Sequence, residues 1–470
     1  MASGHTRLLT PADLYVYEYA WSPDSKTIAA IAAHGSGDNN WYIAQLYTLA
    51  VASGEMKSIL KTSMQIAVPC WSPDGKAIAF IGGLMSDEGV IGGDIFTIAA
   101  TGGTPRNLTP DIKASPCWLT WLPSGRILFT EQVDGGSGIA NVDLGTGQIK
   151  TLWTGAESIA AESRHRVSIA GDEKTSALVR QSFDQPPEIW AGPIGAWEAL
   201  THANRGVPSG WGKAQSIHWK SDAFTVQGWL LYPYDFHENR RYPMVTVVHG
   251  GPASQAQPSF SARTFDLSEF CRRGYFVFAP NPRGSYGQGE TFTRANVKDF
   301  GYGDLRDILA GVDEVVKTCP VDKDRLGITG WSYGGYMTMW TVTQTTRFRA
   351  AVAGAGIANW QSYYGQNGID QWLLPYFGAS VYDDPAVYAK SSPINFIKRV
   401  KTPTLILVGE YDVECPVPQS YEFWHALRTL EVPTEFVVYP KEGHGISKPE
   451  HQRDILKRML GWFDKYLQSK

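Results

Sequence analysis

The 470-residue sequence has no long apolar run and almost no excess of charge of either sign. No stretch reaches the roughly 20 apolar residues that a membrane-spanning helix requires, and the N-terminus has none of the features of a secretory signal. Lysine and arginine together number 42, and aspartate and glutamate 46, which gives a formal net charge of -4. The basic patch that nucleic-acid binding requires is therefore not indicated. We expect no membrane span and no nucleic-acid partner.

Cysteine is scarce and the usual cofactor motifs are missing. The five cysteines are scattered and form no Cys-x-x-Cys pair, which argues against a disulfide framework and a structural zinc site. The sequence contains no HExxH motif and no dinucleotide fingerprint followed by a ribose-binding acid. The GSYGQG stretch at 284–289 lacks the ending of a phosphate loop. We therefore expect reduced thiols, a cytoplasmic location, no metal and no cofactor.

A short turn sequence repeats every 50 residues in the N-terminal part. WSPDSK at 21–26 recurs as WSPDGK at 71–76 and, weakened, as WLPSGR at 121–126, and SIAGDEK at 168–174 is a worn fourth copy. Each copy precedes an apolar run rich in β-forming residues, such as TIAAIAA. Multi-stranded repeats of this length are typical of β-propeller blades, and a β-sandwich with accidental periodicity is the alternative. We predict a shortened propeller of about four blades over residues 1–205.

From residue 206 onward, apolar strands alternate with helical segments. The strands include PMVTVVHG, GYFVFAP, RLGITGW, FRAAVAG, TPTLILVG and TEFVVYP, and helix-like segments lie near 261–273, 303–318, 334–346, 418–430 and 449–467. Near-continuous apolar strands joined by helices indicate a mostly parallel sheet that is covered on both faces. Residues 206–470 are therefore predicted to form a doubly wound α/β domain.

The strongest local motif in this second part is GWSYGG at 330–335. It follows the apolar strand RLGITG and precedes a helical segment, which is the context of the nucleophile elbow of α/β-hydrolases. Small residues are needed there because the turn is too sharp for side chains. The turn exposes the Ser332 hydroxyl, and the backbone N–H of Tyr333 faces the oxyanion that develops during attack. We therefore predict an α/β-hydrolase with Ser332 as its nucleophile.

A serine nucleophile needs a base and an orienting acid, which follow it in the order Ser, Asp, His in this fold. Asp412 follows the apolar strand TPTLILVG, and His444 follows the strand TEFVVYP. Both residues therefore lie at the carboxyl ends of strands, where α/β sheets place their sites. A helix cap and an ordinary loop histidine are the structural alternatives. We predict that Ser332, Asp412 and His444 form a catalytic triad.

The oxyanion hole needs a second donor, and an HGGP segment at 249–252 supplies one. It follows the strand PMVTVVHG, as the HGG-type motif does in hydrolases. Gly251 can bring its N–H close to substrate because it has no Cβ. The His249 imidazole could instead donate or brace the loop. We favour the Gly251 backbone N–H.

Together these residues resemble the prolyl oligopeptidase family of serine peptidases, and within it the acylaminoacyl-peptidase and dipeptidyl-peptidase branches. The matching segments are TPADL, the WSPDGK turns, VVHGGP, NPRGSYGQG, ITGWSYGGYMT, VGEYDVECPVPQS and YPKEGHGISKPEHQRDILKRMLGWFDKYL. The resemblance implies a β-propeller over an α/β-hydrolase, with peptides cleaved in the cavity between them. It implies that Ser332 is the nucleophile, His444 the general base and then acid, and Asp412 the orienting carboxylate, with Tyr333 and Gly251 N–H groups holding the oxyanion.

The resemblance also points to substrate-binding residues. Trp360, Tyr363 and Tyr364 match a segment that lines the S1 pocket in relatives, although ordinary packing under a loop is an alternative. Relatives often carry arginine two positions after the triad aspartate, where this chain has Glu414. A glutamate there would repel an anion. Tolerance for a neutral or cationic substrate group is one interpretation, and an outward-facing glutamate is the other.

The sequence departs from the family pattern in its repeat region. Family propellers usually have seven or eight blades, and about 200 residues are available here. TPADL and the first turn are both present, so we expect the shortening to be internal. We find no paired glutamates in the repeats that match those anchoring the substrate amine in the dipeptidyl branch. Release of dipeptides is therefore less expected than cleavage of oligopeptides or acyl-amino acids.

These observations leave three functions open. The first is a serine peptidase for short peptides or acyl-amino-acid amides. The second is a carboxylesterase or small-molecule acyl hydrolase, because the same triad serves both and fewer blades leave the site more open. The third is a propeller-based interaction scaffold, which the intact triad argues against. Exposed propeller edges would favour a homo-oligomer.

Overall fold

The computed structural model describes residues 6–35, 37–159, 165–260 and 267–468. Its first part contains four antiparallel sheets of four strands each, and each sheet is built from consecutive strands. The first sheet contains β1 (Leu14–Trp21), β2 (Thr27–His34), β3 (Gln45–Ala50) and β4 (Met56–Leu60), and the second contains β5 (Gln65–Trp71), β6 (Ala77–Gly83), β7 (Asp94–Ala99) and β8 (Arg106–Asn107). The third contains β9 (Ser115–Trp121), β10 (Ile127–Val133), β11 (Gly136–Val142) and β12 (Ile149–Gly155), and the fourth contains β13 (Ser168–Ile169), β14 (Thr175–Arg180), β15 (Glu188–Pro193) and β16 (Glu198–Ala199). These sheets are the four predicted blades.

The repeated turn has the same backbone conformation in all four blades. Ser25, Gly75, Gly125 and Glu173 occupy the same place in the turn, and each has a positive φ, between 56° and 85°. Glycine fits this conformation at no steric cost, which explains its presence in the second and third copies. In the first two copies the serine hydroxyl also donates to the following aspartate at 2.7 Å and accepts a backbone N–H at 2.9 Å. The repeat in the sequence is therefore a repeat of turn geometry.

Apolar contacts join consecutive blades, and this series of four blades is called the arc below. The first two share an apolar cluster that contains Ile31, Leu46 and Phe80, and the last two share one that contains Leu128 and Leu178. Among the described residues, no apolar cluster joins the fourth blade to the first. The blades therefore do not close into a ring through a shared core.

The second part is built on an eight-stranded sheet in the order β17-β18-β20-β19-β21-β22-β23-β24. The strands are β17 (Ala214–Ser221), β18 (Phe224–Leu231), β19 (Tyr242–Val248), β20 (Phe276–Asn281), β21 (Val321–Trp331), β22 (Ala350–Gly354), β23 (Thr404–Gly409) and β24 (Thr434–Tyr439). The pairs from β20 to β24 are parallel, whereas β17 and β18 run antiparallel at one edge. β19, β20, β22 and β23 are buried over nearly their whole length, as expected for a sheet covered on both faces.

Helices cover this sheet. They are α1 (Leu267–Arg272), α2 (Glu290–Thr293), α3 (Gly303–Thr318), α4 (Tyr333–Gln344), α5 (Trp360–Tyr364), α6 (Leu373–Phe377), α7 (Pro385–Lys390), α8 (Val417–Thr429) and α9 (Pro449–Phe463). Short 3-10 turns occupy Asp38–Ile43, Arg294–Asn296, Asp370–Trp372 and Pro393–Arg399, and a π turn occupies Asp464–Gln468. None of the helices in the described residues is both long enough and apolar enough to cross a bilayer.

The predicted fold class is confirmed: a mostly parallel α/β-hydrolase sheet follows an all-β, propeller-like repeat. Four of the predicted helical segments match α3, α4, α8 and α9, and the fifth matches α1, although residues 261–266 of that segment lie outside the described residues. The predicted boundary between residues 205 and 206 falls in the segment between β16 and β17. The division of the chain into two domains there stays a prediction.

Loops from all four blades contact the α/β part at the same position of the repeat, between the second and third strands. In the first blade, Asn39 donates to Asp370 at 2.9 Å, and in the second, Ser86 accepts the N–H of Ala253 at 3.1 Å. The third blade contributes Asp134, whose N–H donates to the Gly287 carbonyl. The fourth contributes Phe183, which packs on Trp211 and Trp229. The arc therefore presents one edge to the sheet.

Candidate active site

Ser332 lies in a strained turn between β21 and α4. Its φ is 61° and its ψ is -122°, a conformation that non-glycine residues rarely adopt. The turn is held by hydrogen bonds from Ser332 N to the Gly354 carbonyl at 3.0 Å and from Tyr336 N to the Ser332 carbonyl at 2.9 Å. A side chain at Gly334 would collide with the carbonyl of Val248 in the neighbouring strand, which explains the glycine there. The geometry is that of a nucleophile elbow.

The structure brings Asp412 and His444 together. Asp412 follows β23 and has a fully buried side chain, and His444 follows β24. The Nδ1 of His444 lies 2.8 Å from Oδ2 of Asp412. The other oxygen of Asp412 accepts the backbone N–H groups of Glu414 at 3.0 Å and Cys415 at 2.7 Å. Asp412 therefore fixes the histidine ring and is itself fixed by its own loop.

The predicted oxyanion loop, residues 249–253, lies directly beside the elbow. A Cβ at Gly250 would be 3.4 Å from Cβ of Ser332, and Gly251 has a φ of 109°, which favours glycine. Nδ1 of His249 lies 2.7 Å from the Gly250 carbonyl, so it must carry a proton that it donates there. Nε2 of His249 lies 2.8 Å from the Ser285 hydroxyl oxygen, which donates its own proton to the Pro282 carbonyl at 2.6 Å, and burial lowers the pKa of His249. Both ring nitrogens thus contact neighbouring protein groups, which supports a bracing role for His249.

His444 is surrounded by carboxylates. Glu414 Oε2 lies 3.6 Å from Nε2, the nitrogen that receives the serine proton in the predicted triad. Burial alone would lower the pKa of His444. The hydrogen bond and charge of Asp412, together with the charges of Glu414 and Asp87, raise that pKa to about 9. Within the residues that the structure describes, no hydrogen bond joins Nε2 to Ser332 Oγ, and the side chain of Cys415 interacts with that of Ser332.

Trp360 and Tyr363 belong to a buried aromatic cluster beside the elbow. Trp360 packs on Tyr336 with 4.8 Å between ring centroids and on Tyr363 with 5.4 Å, and both Trp360 and Tyr363 are buried. Tyr364 leaves this cluster and packs on Tyr382 and Tyr388 instead. Of the three predicted S1 residues, the structure therefore groups two and separates the third.

A buried carboxylate supports the ring of Tyr333. Asp304, at the start of α3, accepts a short hydrogen bond from the Tyr333 hydroxyl and the backbone N–H groups of Gly301 at 3.1 Å and Leu305 at 2.7 Å. Burial raises the pKa of Asp304 to about 7. The sequence did not predict a role for Asp304, because no motif near it in the chain indicates a contact with the elbow. It holds the residue whose N–H faces the predicted oxyanion.

The second blade also reaches the site, which the sequence did not predict. Its loop between β6 and β7 carries Ser86 and Asp87, and the Ser86 hydroxyl donates to Asp87 at 2.6 Å while accepting the N–H of Ala253. The hydroxyl of Tyr286 donates to the Val90 carbonyl at 3.2 Å and holds the same loop. The sequence carried one indication of this contact. The loop has the same position in its repeat as the first-blade loop, which also contacts the α/β part.

A cavity of about 400 Å³ opens between these two blade loops and Glu414. Its wall contains Trp41, Tyr42 and Ile369, and its other lining residues include several carboxylates. No group of histidine, cysteine or carboxylate side chains in the described ranges has an arrangement suited to a metal ion. Glu414, which lines this cavity, lies 3.6 Å from Nε2 of His444, so the cavity borders a direct neighbour of the predicted base.

Comparison with known proteins identifies similar families and folds. Residues 258–470 match the model of the prolyl oligopeptidase family. The chain is 34% identical to the uncharacterized peptidase YuxL of Bacillus subtilis (strain 168) over 318 residues, which are 64% of this chain and 47% of that protein. It is 27% identical to dipeptidyl-peptidase 5 of Porphyromonas gingivalis over 481 residues, covering 97% of this chain and 67% of that one. The chain thus spans about half to two thirds of these relatives.

Solved structures show the same fold. The Pyrococcus horikoshii acylaminoacyl peptidase superposes with a TM-score of 0.78 at 23% sequence identity, covering 97% of this chain and 71% of that one. The elbow, the Asp–His pair and the glycine loop lie in or next to the segment that the family model matches. Residues 258–470 are thus similar to the prolyl oligopeptidase family, and the fold of the chain is that of the solved peptidase.

Proposed function

We propose that the chain is a serine peptidase that cleaves short peptides or acyl-amino-acid amides through an acyl-enzyme on Ser332. The observation that carries this proposal is the strained elbow of Ser332 in one site with the His444–Asp412 pair, whose Nδ1–Oδ2 distance is 2.8 Å. The match of residues 258–470 to the prolyl oligopeptidase family and the peptidase names of the relatives support it.

The residues present can perform both halves of the reaction. Ser332 Oγ attacks the substrate carbonyl carbon while its proton passes to Nε2 of His444, and Asp412 stabilises the imidazolium. The N–H groups of Tyr333 and Gly251 hold the oxyanion. The C–N bond then breaks, and the amine leaves with the proton from Nε2. A water molecule repeats the sequence on the acyl-enzyme and frees the acid.

Nucleophilic attack requires His444 to approach Ser332 more closely than it does in the structure. Hydrogen bonds at catalytic sites often tighten only when substrate binds. The side chain of His444 is 17% exposed, and its neighbour Glu414 lines the cavity, so a ligand that binds at Glu414 lies close to the ring. The proposed role of Asp412 keeps the ring in the tautomer that leaves Nε2 free to accept a proton.

The experiment compares kcat/KM for an acyl-amino-acid p-nitroanilide with that for its p-nitrophenyl ester, with Ser332→Ala as the blank. Anilide cleavage that disappears in the variant supports the peptidase. Ester cleavage alone would favour the alternative, a carboxylesterase or small-molecule acyl hydrolase. The small number of blades, four in the described residues, is the observation that keeps this alternative in view.

Location and assembly are part of the proposal. None of the five cysteines, all of which lie in described residues, forms a disulfide, which supports a reducing compartment such as the cytoplasm. Exposed aromatic residues on β1, namely Tyr15, Tyr19 and Trp21, support self-association at the end of the arc. Size-exclusion chromatography with light scattering tests the second point.

A further inference from the structure

Glu414 lies beside the one atom of His444 that the proposed reaction uses. Its Oε2 is 3.6 Å from Nε2, and Nε2 must be unprotonated to accept the proton of Ser332. A carboxylate at this position favours the imidazolium, which cannot act as a base. The side chain of Glu414 is 34% exposed and faces the cavity, so it can also pair with a ligand.

Asp87 adds a second negative charge from the blade side. Its loop is held by the hydrogen bonds of Ser86 and Tyr286, so the carboxylate has a fixed position. Burial raises the pKa of Asp87 and of Glu414, while the charge of His444 opposes this rise in both. Asp412, Glu414 and Asp87 are the charged groups that act on the ring, and all three favour its protonated form.

Among the described residues, those that line the cavity next to these groups carry only acidic charges. Its ionisable lining residues are Tyr17, Tyr42 and the carboxylates Glu18, Asp38, Asp87, Glu88 and Glu414. Neither lysine, arginine nor histidine lines it among the described residues. A volume of about 400 Å³ accommodates a side chain or a chain terminus, and the aromatic rings of Trp41 and Tyr42 complement a cation.

We infer that Glu414 makes catalysis depend on a cationic group of the substrate, an ammonium or guanidinium that enters this cavity. The inference rests on the proposed peptidase function and specifies its substrate class. The cation pairs with Glu414 and Asp87, and their charges no longer hold a proton on Nε2. That proton passes to solvent, and the neutral ring then accepts the proton of Ser332 as the Oγ–C bond forms.

A neutral substrate leaves the imidazolium paired with Glu414, and an anionic one meets like charges. Charge-assisted hydrogen bonds are stronger than neutral ones, so the preference for a cation should be about 10- to 100-fold in kcat/KM. The same arrangement restricts activity to the correct substrate, because His444 can accept a proton from Ser332 only when that substrate is bound. Glu414 is thus a specificity-determining residue that acts through His444.

The test uses p-nitroanilides of alanine preceded by lysine, Nε-acetyl-lysine or glutamate, each with a free and with an acetylated N-terminus. The two termini distinguish a side-chain cation from a terminal ammonium as the group that binds. Wild type, Glu414→Gln and Asp87→Asn are compared, and Glu435→Gln, on the exposed face of β24, is the matched control. We expect Glu414→Gln to lose the preference for the cation and Glu435→Gln to keep it.

The pH dependence provides a readout that a purely structural role would not move. With an uncharged substrate, kcat/KM of the wild type should rise with pH until His444 loses its proton near pH 9. With the cationic substrate, the acid limb of kcat should lie at lower pH, because that profile reports the complex. Glu414→Gln should move the acid limb of kcat/KM to lower pH for every substrate.

Different failures have different meanings. Equal cleavage of the cationic and neutral anilides by the wild type would overturn this inference and leave the proposed peptidase standing. An equal loss on all substrates in Glu414→Gln would overturn it too. If only esters are cleaved, the same series prepared as p-nitrophenyl esters decides the point. If neither series is cleaved in a Ser332-dependent way, the proposed function and the inference both fall.

Discussion

The hydroxyl of Ser86, in the second blade, accepts the backbone N–H of Ala253, in the loop that carries the predicted oxyanion donor. The distance is 3.1 Å, and both residues are buried. A Cβ placed on Gly251 would lie 3.2 Å from the same hydroxyl oxygen. The propeller-like part therefore takes part in shaping the site and does more than cover it.

Ser86→Ala should lower kcat about 10-fold, because the buried N–H of Ala253 loses its partner and the oxyanion loop loosens. Affinity for a peptide boronate, which mimics the tetrahedral intermediate, should fall by a similar factor. Ser58→Ala, on an exposed part of β4, is the control and should change neither quantity. Unchanged boronate affinity in Ser86→Ala would show that the contact is only structural.

Gly251→Ala should reduce kcat about 100-fold or more while the protein still folds. Its φ of 109° strains any other residue, and the added methyl group would lie 2.8 Å from the Ala253 nitrogen, so the loop must move. Gly443→Ala adds a methyl group in open space at an ordinary φ and should leave kcat close to wild type. Steady-state kinetics with thermal melting checks both variants, and wild-type kcat in Gly251→Ala would refute the predicted donor.

Asp412→Asn should lower kcat about 10⁴-fold, because the amide cannot stabilise the imidazolium and favours the wrong tautomer of His444. The fold should survive, since the asparagine oxygen can still accept the N–H groups of Glu414 and Cys415. Kinetics with circular dichroism measures both effects. A loss below 10-fold in a folded variant would remove Asp412 from the predicted triad.

Glu442 links the His444 loop to the start of α9. Its carboxylate, 1% exposed, accepts the N–H groups of Ser447 and Lys448 at 2.9 and 3.0 Å and lies 2.7 Å from Nδ1 of His451. Burial alone would raise the pKa of Glu442, yet these hydrogen bonds hold it at about 2. Glu442→Gln should therefore destabilise the protein by about 2 kcal/mol at pH 7.

The pH dependence of that difference follows from the lowered pKa. The carboxylate stabilises the fold fully above its unfolded pKa near 4.5, and this contribution is lost as pH falls toward 2. Urea denaturation of wild type and Glu442→Gln at pH 7 and pH 3 should show a smaller difference at the lower pH. A difference that stays constant would mean that Glu442 acts by packing and not by charge.

The fold class followed from local patterns in the sequence. Turns at 21–26 and 71–76 repeat because the same hydrogen bonds and the same positive φ recur in each blade, and such short-range geometry is written in adjacent residues. The nucleophile elbow could also be predicted, because its motif consists of adjacent residues. β17 was missed, because its sequence AQSIHWKS has polar residues where an edge strand is exposed to solvent.

The composition of the site was less visible, because it depends on contacts between distant segments. Ser86 and Ala253 are separated by 167 residues, and no local pattern connects them. The separation of Tyr364 from Tyr363 has a simple cause in α5, where consecutive residues point in different directions around the helix axis. Adjacency in the chain suggested one pocket wall, whereas helical geometry sends the two rings apart.

The four blades form a linear series of repeats, in which each blade packs against the blades next to it in the sequence. Each inner blade has a neighbour on both sides, whereas the first and fourth have one each, so the cost of local opening should increase from the ends toward the middle. Amide hydrogen exchange would then be fastest in the fourth blade, where β13 and β16 pair over only two residues each. The second blade is an inner blade and contacts the predicted oxyanion loop through Ser86. A blade that we expect to be well protected from hydrogen exchange is therefore also the one that supports the proposed reaction.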